Sequence, residues 1–169
     1  PPNAGAPATP PGLLAKGAGD ASGAAPGASG GADRARGTGD KPFTVVLITI
    51  YSVENAGIRY VSAALQRAGF ETHIIFLKDW VNNRLTMPSD QEFEAALKII
   101  ADKKADLIGF GLMSSLYPMA LEATKRVKSR FPTIPTLWGG IHPTSTPETC
   151  IGDVDYLCIG EGEVASIEL

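Results

Sequence analysis

Phe43-Thr-Val-Val-Leu-Ile-Thr-Ile50 is apolar and rich in β-branched residues, without the polar alternation of a half-exposed strand. A run of this kind needs cover on both faces, as a central strand of a parallel sheet has. Parallel neighbours are joined by crossovers, usually helices. The run therefore implies a chain in which strands and helices alternate. The following sequence fits that expectation. Gly57 to Gly69 predicts a helix with Ile58, Val61, Leu65 and Ala68 on one face and Gly69 as its stop signal. Thr72 to Leu77 reads as a second strand, followed by a loop from Lys78 to Pro88 that contains Trp80. Ser89 or Asp90 caps a helix from Gln91 to Lys104, with Phe93, Leu97 and Ile100 inward. Asp106 to Leu112 is a third strand, and Pro118 to Arg130 a helix with proline in its first turn. Thr136 to Trp138 is the fourth strand. Thr144 or Ser145 is expected to cap a short helix around Pro147 to Ile151, and Tyr156 to Ile159 is the fifth strand. From Glu161 to Leu169 a last helix opens with acidic residues in its first turn, where the helix dipole favours them.

Five strands alternating with helices imply right-handed crossovers and a doubly wound parallel α/β sheet. The expected arrangement is flavodoxin-like (Rossmann-like), with strand order 2-1-3-4-5 and a ligand crevice between the first and third strands at their carboxyl ends. Residues 1–41 stand apart. They are Pro, Gly and Ala with scattered polar residues, and only Leu13 and Leu14 could pack. Such a segment buries too little to offset its ordering entropy, so it reads as a disordered leader or linker before a folded domain over 42–169. The chain starts with Pro and stops as a helix opens, which suggests a piece of something longer. A net charge of −3 without a Lys/Arg run argues against nucleic acid as the main partner. No apolar run approaches the ~20 residues of a membrane span, and no signal peptide is visible. Cys150 and Cys158 form no CxxC pair and read as buried thiols in a reducing cytoplasm.

The crevice lacks the usual phosphate-binding sequences. Tyr51-Ser-Val-Glu-Asn-Ala-Gly57 after the first strand is not GxGxxG, and GxxxxGK[ST] occurs nowhere. Ser52 beside Glu54 is a poor phosphate loop. A phospho-acceptor receiver would need an Asp at the end of the third strand, where Gly-Leu-Met-Ser-Ser stands instead. What the crevice does contain is a set of small residues: Gly109, Gly111, Ser114, Ser115, Gly139 and Gly140. A lone glycine would most simply permit tight helix–sheet packing. Glycines at the ends of successive strands favour a deep slot between the third and fourth strands, suited to a long, partly apolar ligand tail.

Two motifs make the reading specific: Trp138-Gly-Gly-Ile-His-Pro-Thr144, and Val154-Asp-Tyr156 followed by Gly160-Glu-Gly-Glu163. From about Phe43 onward the chain resembles the cobalamin-binding domain of cobalamin-dependent radical S-adenosylmethionine enzymes. That group resembles the anaerobic magnesium-protoporphyrin cyclase and many radical methyltransferases. The wider cobalamin-binding fold carries DxHxxG after its first strand, SxL after the third and GG after the fourth. Here Ser52 stands for the Asp, Glu54 (after Val53) for the His, and Gly57 for the Gly. Gly111-Leu112-Met113 replaces SxL, and Gly139-Gly140 matches. A carboxylate is a poor substitute for imidazole on cobalt. The resemblance therefore implies cobalamin bound base-off, without a histidine on the lower face of the metal and with the dimethylbenzimidazole tail in the slot. The branch resembled here commonly lacks that histidine.

Carried over position by position, the implied binding residues are Ser52, Val53, Glu54, Gly57, Gly111, Leu112, Met113, Ser114, Ser115, Gly139, Gly140, Ile141, His142, Gly160 and Glu161. For His142, a hydrogen bond at the start of the next helix is the simpler expectation. The family's radical step needs CxxxCxxC to hold a four-iron cluster beside S-adenosylmethionine. The chain contains no such triad, so it is expected to bind cofactor without turnover, with the catalytic barrel in the same parent chain or in a partner. In that parent, methylation or ring-forming oxidation is the implied reaction. Two other readings stay open: a stand-alone cobalamin carrier or sensor, and a flavodoxin-like interaction module that binds no corrinoid.

Overall fold

The computed structural model describes residues 12–15, 41–51, 55–78 and 85–168. The apolar run becomes β2 (Thr44–Thr49), in which every residue is buried. It lies inside a six-stranded sheet with β1 (Gly12–Ala15), β3 (Glu71–Phe76), β4 (Leu107–Gly111), β5 (Thr136–Gly139) and β6 (Tyr156–Ile159). The order across the sheet is β1-β6-β5-β4-β2-β3. From β3 to β6 all neighbours are parallel, in the order expected for the five strands. Five strands were nevertheless one too few. Gly12–Ala15, inside the segment read as a structureless leader, pairs antiparallel with β6, Leu13 opposite Cys158. Pairing supplies what composition did not: an open edge of unsatisfied backbone groups for the strand to complete, and an apolar cluster for Leu13 to join. The remainder of residues 1–40 lies outside the described residues.

Helices cover both faces of the sheet, the reason β2 is apolar on both sides. Along β2, Val46 and Ile48 face α2 (Asp90–Lys103) and α3 (Tyr117–Arg130), packing with Phe93, Ile100, Ala123 and Val127. Val45 and Leu47 face α1 (Ala56–Arg67) and α5 (Gly162–Ala165), packing with Ile58, Leu65 and Ala165. Helix α2 starts on a capping box in which Glu92 N donates to Ser89 Oγ (3.3 Å) and Ser89 N to Glu92 Oε2 (2.7 Å). Helix α1 is capped by Asn55, whose Oδ1 accepts from Ile58 N. The expected helix around Pro147 to Ile151 is displaced. Helix α4 (Ile141–Ser145) begins directly after the paired glycines, with Gly140 as its N-cap and no side-chain cap, and a single 3-10 turn (Pro147–Thr149) follows. Thr144 and Ser145 lie within α4 and do not cap it. Backbone geometry at Gly140 starts the helix earlier than side-chain signals suggest.

Two aspartates fasten the amino ends of the strands. Asp106 Oδ2 accepts from Thr44 N at 2.8 Å. Asp155 Oδ2 accepts from Thr136 N (2.8 Å), Thr136 Oγ1 (2.9 Å) and Lys128 Nζ (2.7 Å). The Val154-Asp155-Tyr156 motif thus works at the end of the sheet opposite the crevice, with Val154 in the core.

Candidate functional site

The carboxyl ends of the strands are level with one another. Thr49 pairs with Gly111 and Gly111 with Gly139; two residues back, Leu47 pairs with Gly109 and Gly109 with Leu137. Side chains two apart share a sheet face, so two glycines of β4 and one of β5 leave that face low. A cavity of about 610 Å³ occupies the space, between the sheet and helices α1 and α5. Its sheet wall includes Leu47, Thr49, Gly109, Gly111, Leu137 and Cys158, and its helix wall Ile58, Val61, Gly162 and Ser166. The mouth is formed by Leu112, Met113, Gly140, Ile141, Gly160 and Glu161. The volume lies within the ~300–1,000 Å³ of small-molecule sites.

Backbone requirements hold this slot in shape. Gly140 has φ 101°, and a Cβ there would stand 2.8 Å from the carbonyl oxygen of Leu112. That carbonyl accepts from His142 N at 3.3 Å, while Leu112 N donates to Gly139 O at 3.0 Å. The paired glycines therefore clamp the end of β4 to the start of α4. Gly162 lets α5 close on α1, since a Cβ there would meet Val61 Cγ2 at 2.8 Å. On the third side, Asn55 Nδ2 donates to Thr49 Oγ1 at 3.1 Å and ties the start of α1 to the end of β2.

The slot is mostly apolar, with few polar groups inside. Burial pushes the Cys158 thiol up, and the Glu163 carboxylate adds to the shift. It is a neutral thiol at pH 7 and a weak ligand or nucleophile. Ser166 is 1% exposed, and its Oγ has no hydrogen-bond partner among the described residues. Among the described residues no group of three His, Cys, Asp or Glu is placed to hold a metal ion.

Of the residues expected from sequence, Gly57, Gly111, Leu112, Met113, Gly139, Gly140, Ile141, Gly160 and Glu161 line the cavity. Ser114, Ser115 and His142 stand outside that lining. His142 Nδ1 lies 3.0 Å from Ser114 Oγ and 3.3 Å from Thr146 Oγ1, and the ring packs against Tyr117 with centroids 5.0 Å apart. Its Nε2 is buried without a hydrogen-bond partner among the described residues. Ser52, Val53 and Glu54 lie outside the described residues, as does Trp80. Part of the helix-borne wall was missed as a site: Ile58, Val61 and Ser166. Ile58 and Val61 were read only as a helix's inner face. Trp138, inside the motif, points to the other side of the sheet and donates from Nε1 to Thr124 Oγ1 at 2.9 Å.

A family model described as B12 binding domain matches residues 44–169. No curated protein matches the chain. Among solved structures, a cobalamin-binding protein from Desulfitobacterium hafniense DCB-2 superposes with a TM-score of 0.53 at 12% identity. The match covers 74% of this chain and 56% of that one, so the chain spans little more than half the length of this structural relative. A phosphomethylpyrimidine kinase from Clostridium difficile 630 is also similar, with a TM-score of 0.42 and 12% identity over 59% of this chain and 48% of that one.

Proposed function

The chain belongs to the B12-binding domain family, and on that premise we propose that it binds cobalamin base-off, with the nucleotide tail in the slot under α1 and α5. The observation that carries this reading is the slot itself. It opens at the carboxyl ends of β4 and β5, where the glycines leave room, and it has the size and apolar lining that a bicyclic aromatic base requires. Met113, Ile141 and the Gly160–Glu161 turn, at the mouth, would hold the corrin ring. Met113 and Ile141 are large apolar side chains, 48% and 65% exposed, available for a flat ligand to cover.

Bound cobalamin supplies a cobalt centre able to carry a methyl group or exchange electrons. The chain's own residues bind and orient. Gly140 holds the floor of the mouth in register with Leu112. Asn55 fixes the start of α1 relative to β2. Leu47, Ile58, Val61 and Leu137 exclude water from the tail. The base-off reading rests on the chain's histidines, of which there are two. His73 Nε2 lies 2.9 Å from Glu71 Oε1 on β3, and His142 stands outside the cavity lining, its Nδ1 3.0 Å from Ser114 Oγ and its buried Nε2 without a partner among the described residues. In sequence, Glu54 stands where the resemblance to the wider cobalamin-binding fold would put a histidine. The pairing of Gly-Gly-Ile-His-Pro with Gly-Glu-Gly-Glu supports a further step: the chain is the cobalamin module of a radical S-adenosylmethionine enzyme, a methyltransferase or oxidative cyclase, with the four-iron cluster held elsewhere.

The test is direct. The purified chain is mixed with methylcobalamin and desalted, and the visible spectrum of the protein peak is recorded. A corrin band of base-off form is expected, and it should persist in Glu54→Ala. A colourless peak from folded protein would refute cobalamin binding by this chain, and a base-on spectrum would refute the base-off geometry.

A further inference from the structure

The half of β6 that reaches the slot is held by the antiparallel strand. Among the described residues, β5 is in register with β6 only at Tyr156 and Leu157. Cys158 and Ile159 find their ladder partners in Leu13 and Gly12 of β1. Cys158 belongs to the sheet wall of the slot, and Gly160 and Glu161, which follow Ile159 directly, to its mouth. The helix wall depends on the same place. Helix α5 has four residues and no side-chain cap, too short to stand without packing. Its Ala165 joins Cys158 in one apolar cluster, and Leu13 and Ile167 pack against that cluster. Strand β1 is itself a small element, four residues at the edge of the sheet with β6 as neighbour. Edge segments of this kind open locally at far less cost than the sheet they border.

We propose that β1 is a clasp coupled to the ligand: docked, it sets the slot wall and mouth in binding geometry, and a filled slot in turn keeps it docked. Resting on the cobalamin reading, the clasp adds regulation to that same site. Leu13 is its positioning residue, acting through Cys158. The strand has two states, docked and open. A tail in the slot favours the docked state, because it would lie against Cys158. In the open state neither Cys158 nor Ile159 keeps a ladder partner among the described residues. Coupling between two binding events is reciprocal, so docking raises ligand affinity by the same factor by which ligand favours docking. A partner that captured Gly12–Ala15 would therefore loosen cobalamin without touching the slot.

The experiment uses the full chain and methylcobalamin, and reads two quantities. The first is backbone amide exchange over Gly12–Ala15, followed by mass spectrometry with and without saturating ligand. Exchange there is expected to slow about tenfold in the complex, a coupling of ordinary size. Strand β3, at the opposite edge of the sheet, should exchange as before. The second is the affinity of Leu13→Asp, which sets a carboxylate against the apolar cluster and opens the strand. It is expected to bind methylcobalamin more weakly by the same factor of about ten, and Leu13→Ile to restore binding. A strand with a merely structural role would exchange at one rate with and without ligand, which would overturn the proposal. Parent-like affinity in Leu13→Asp would overturn it too. The exchange measurement on the parent decides even where Leu13→Asp does not fold. If the parent binds no methylcobalamin, the cobalamin reading itself is lost, and the clasp with it.

Discussion

Replacing Gly140 by alanine should disturb the site more than any other single methyl group. Two separable effects combine there. With φ 101° and ψ −164° the residue occupies a region essentially reserved for glycine, and a side chain there costs about 1–3 kcal/mol. The added Cβ would also stand 2.8 Å from Leu112 O and 3.1 Å from Leu112 N, both backbone atoms. A flexible side chain could move aside, but relieving this clash means shifting the end of β4, a further ~1–3 kcal/mol by comparison with overpacked cores. The sum is about 4 kcal/mol, or a melting temperature lower by roughly 15 °C for a folded region of this size. Gly152→Ala is the matched control, since a Cβ there meets nothing within 4 Å; it should change stability by less than about 0.5 kcal/mol. Urea denaturation followed by far-UV circular dichroism measures both. If Gly140→Ala unfolds within about 1 kcal/mol of the parent, the clamp between Leu112 and the paired glycines is not what holds the mouth.

Two ionisable groups give pH signatures. Burial alone would raise the Asp155 carboxyl, but the bonds from Lys128 and Thr136 outweigh it and hold the group below its ordinary 3.8. Its stabilisation is therefore complete above that value and is lost as pH falls through the lower folded-state pKa. Asp155→Asn should show a shallower loss of unfolding free energy in acid, and parallel acid profiles for the two proteins would contradict this. The Tyr117 phenol is pushed up to about 12, first by its hydrogen bond to Asp153 and then by burial. The unfolded chain releases that proton nearer 10, so stability falls across the interval from about 10 to 12. In Asp153→Asn, phenolate absorbance should appear at lower pH; an unchanged titration would place the cause elsewhere.

The strands and long helices were legible because each carries a periodic apolar signal over several turns or residues. The unbroken run at Phe43 to Ile50 demanded two covered faces, and α1–α3 and α5 provide them. What escaped had short-range signals that conflict with long-range ones. Gly12-Leu-Leu-Ala15 has no period and poor company, and its partner Tyr156–Ile159 is distant in the chain. Thr144 and Ser145 look like caps, but the turn geometry of Gly140 had already started a helix. At the site, the glycines at the strand ends were visible because the topology concentrates them at one edge of the sheet. Ser166 was invisible because only the packing around the slot buries it. Val154-Asp155-Tyr156 was legible as a pattern but not as a fastening of Thr136 and Lys128.

The antiparallel strand has a consequence for the order in which the molecule comes together on the ribosome. Gly12–Ala15 emerges first among the described elements, yet its partner β6 is the last of the described strands to be made. Closing so long a loop carries an entropic cost that local contacts avoid. Strands β2 to β5, with their intervening helices, can consolidate as synthesis proceeds, while the first strand waits. Only after β6 has joined β5 does that waiting segment find an edge. The contact between the first and last described strands in chain order is therefore among the final steps of folding, and the helix wall that follows β6 is completed in the same late event.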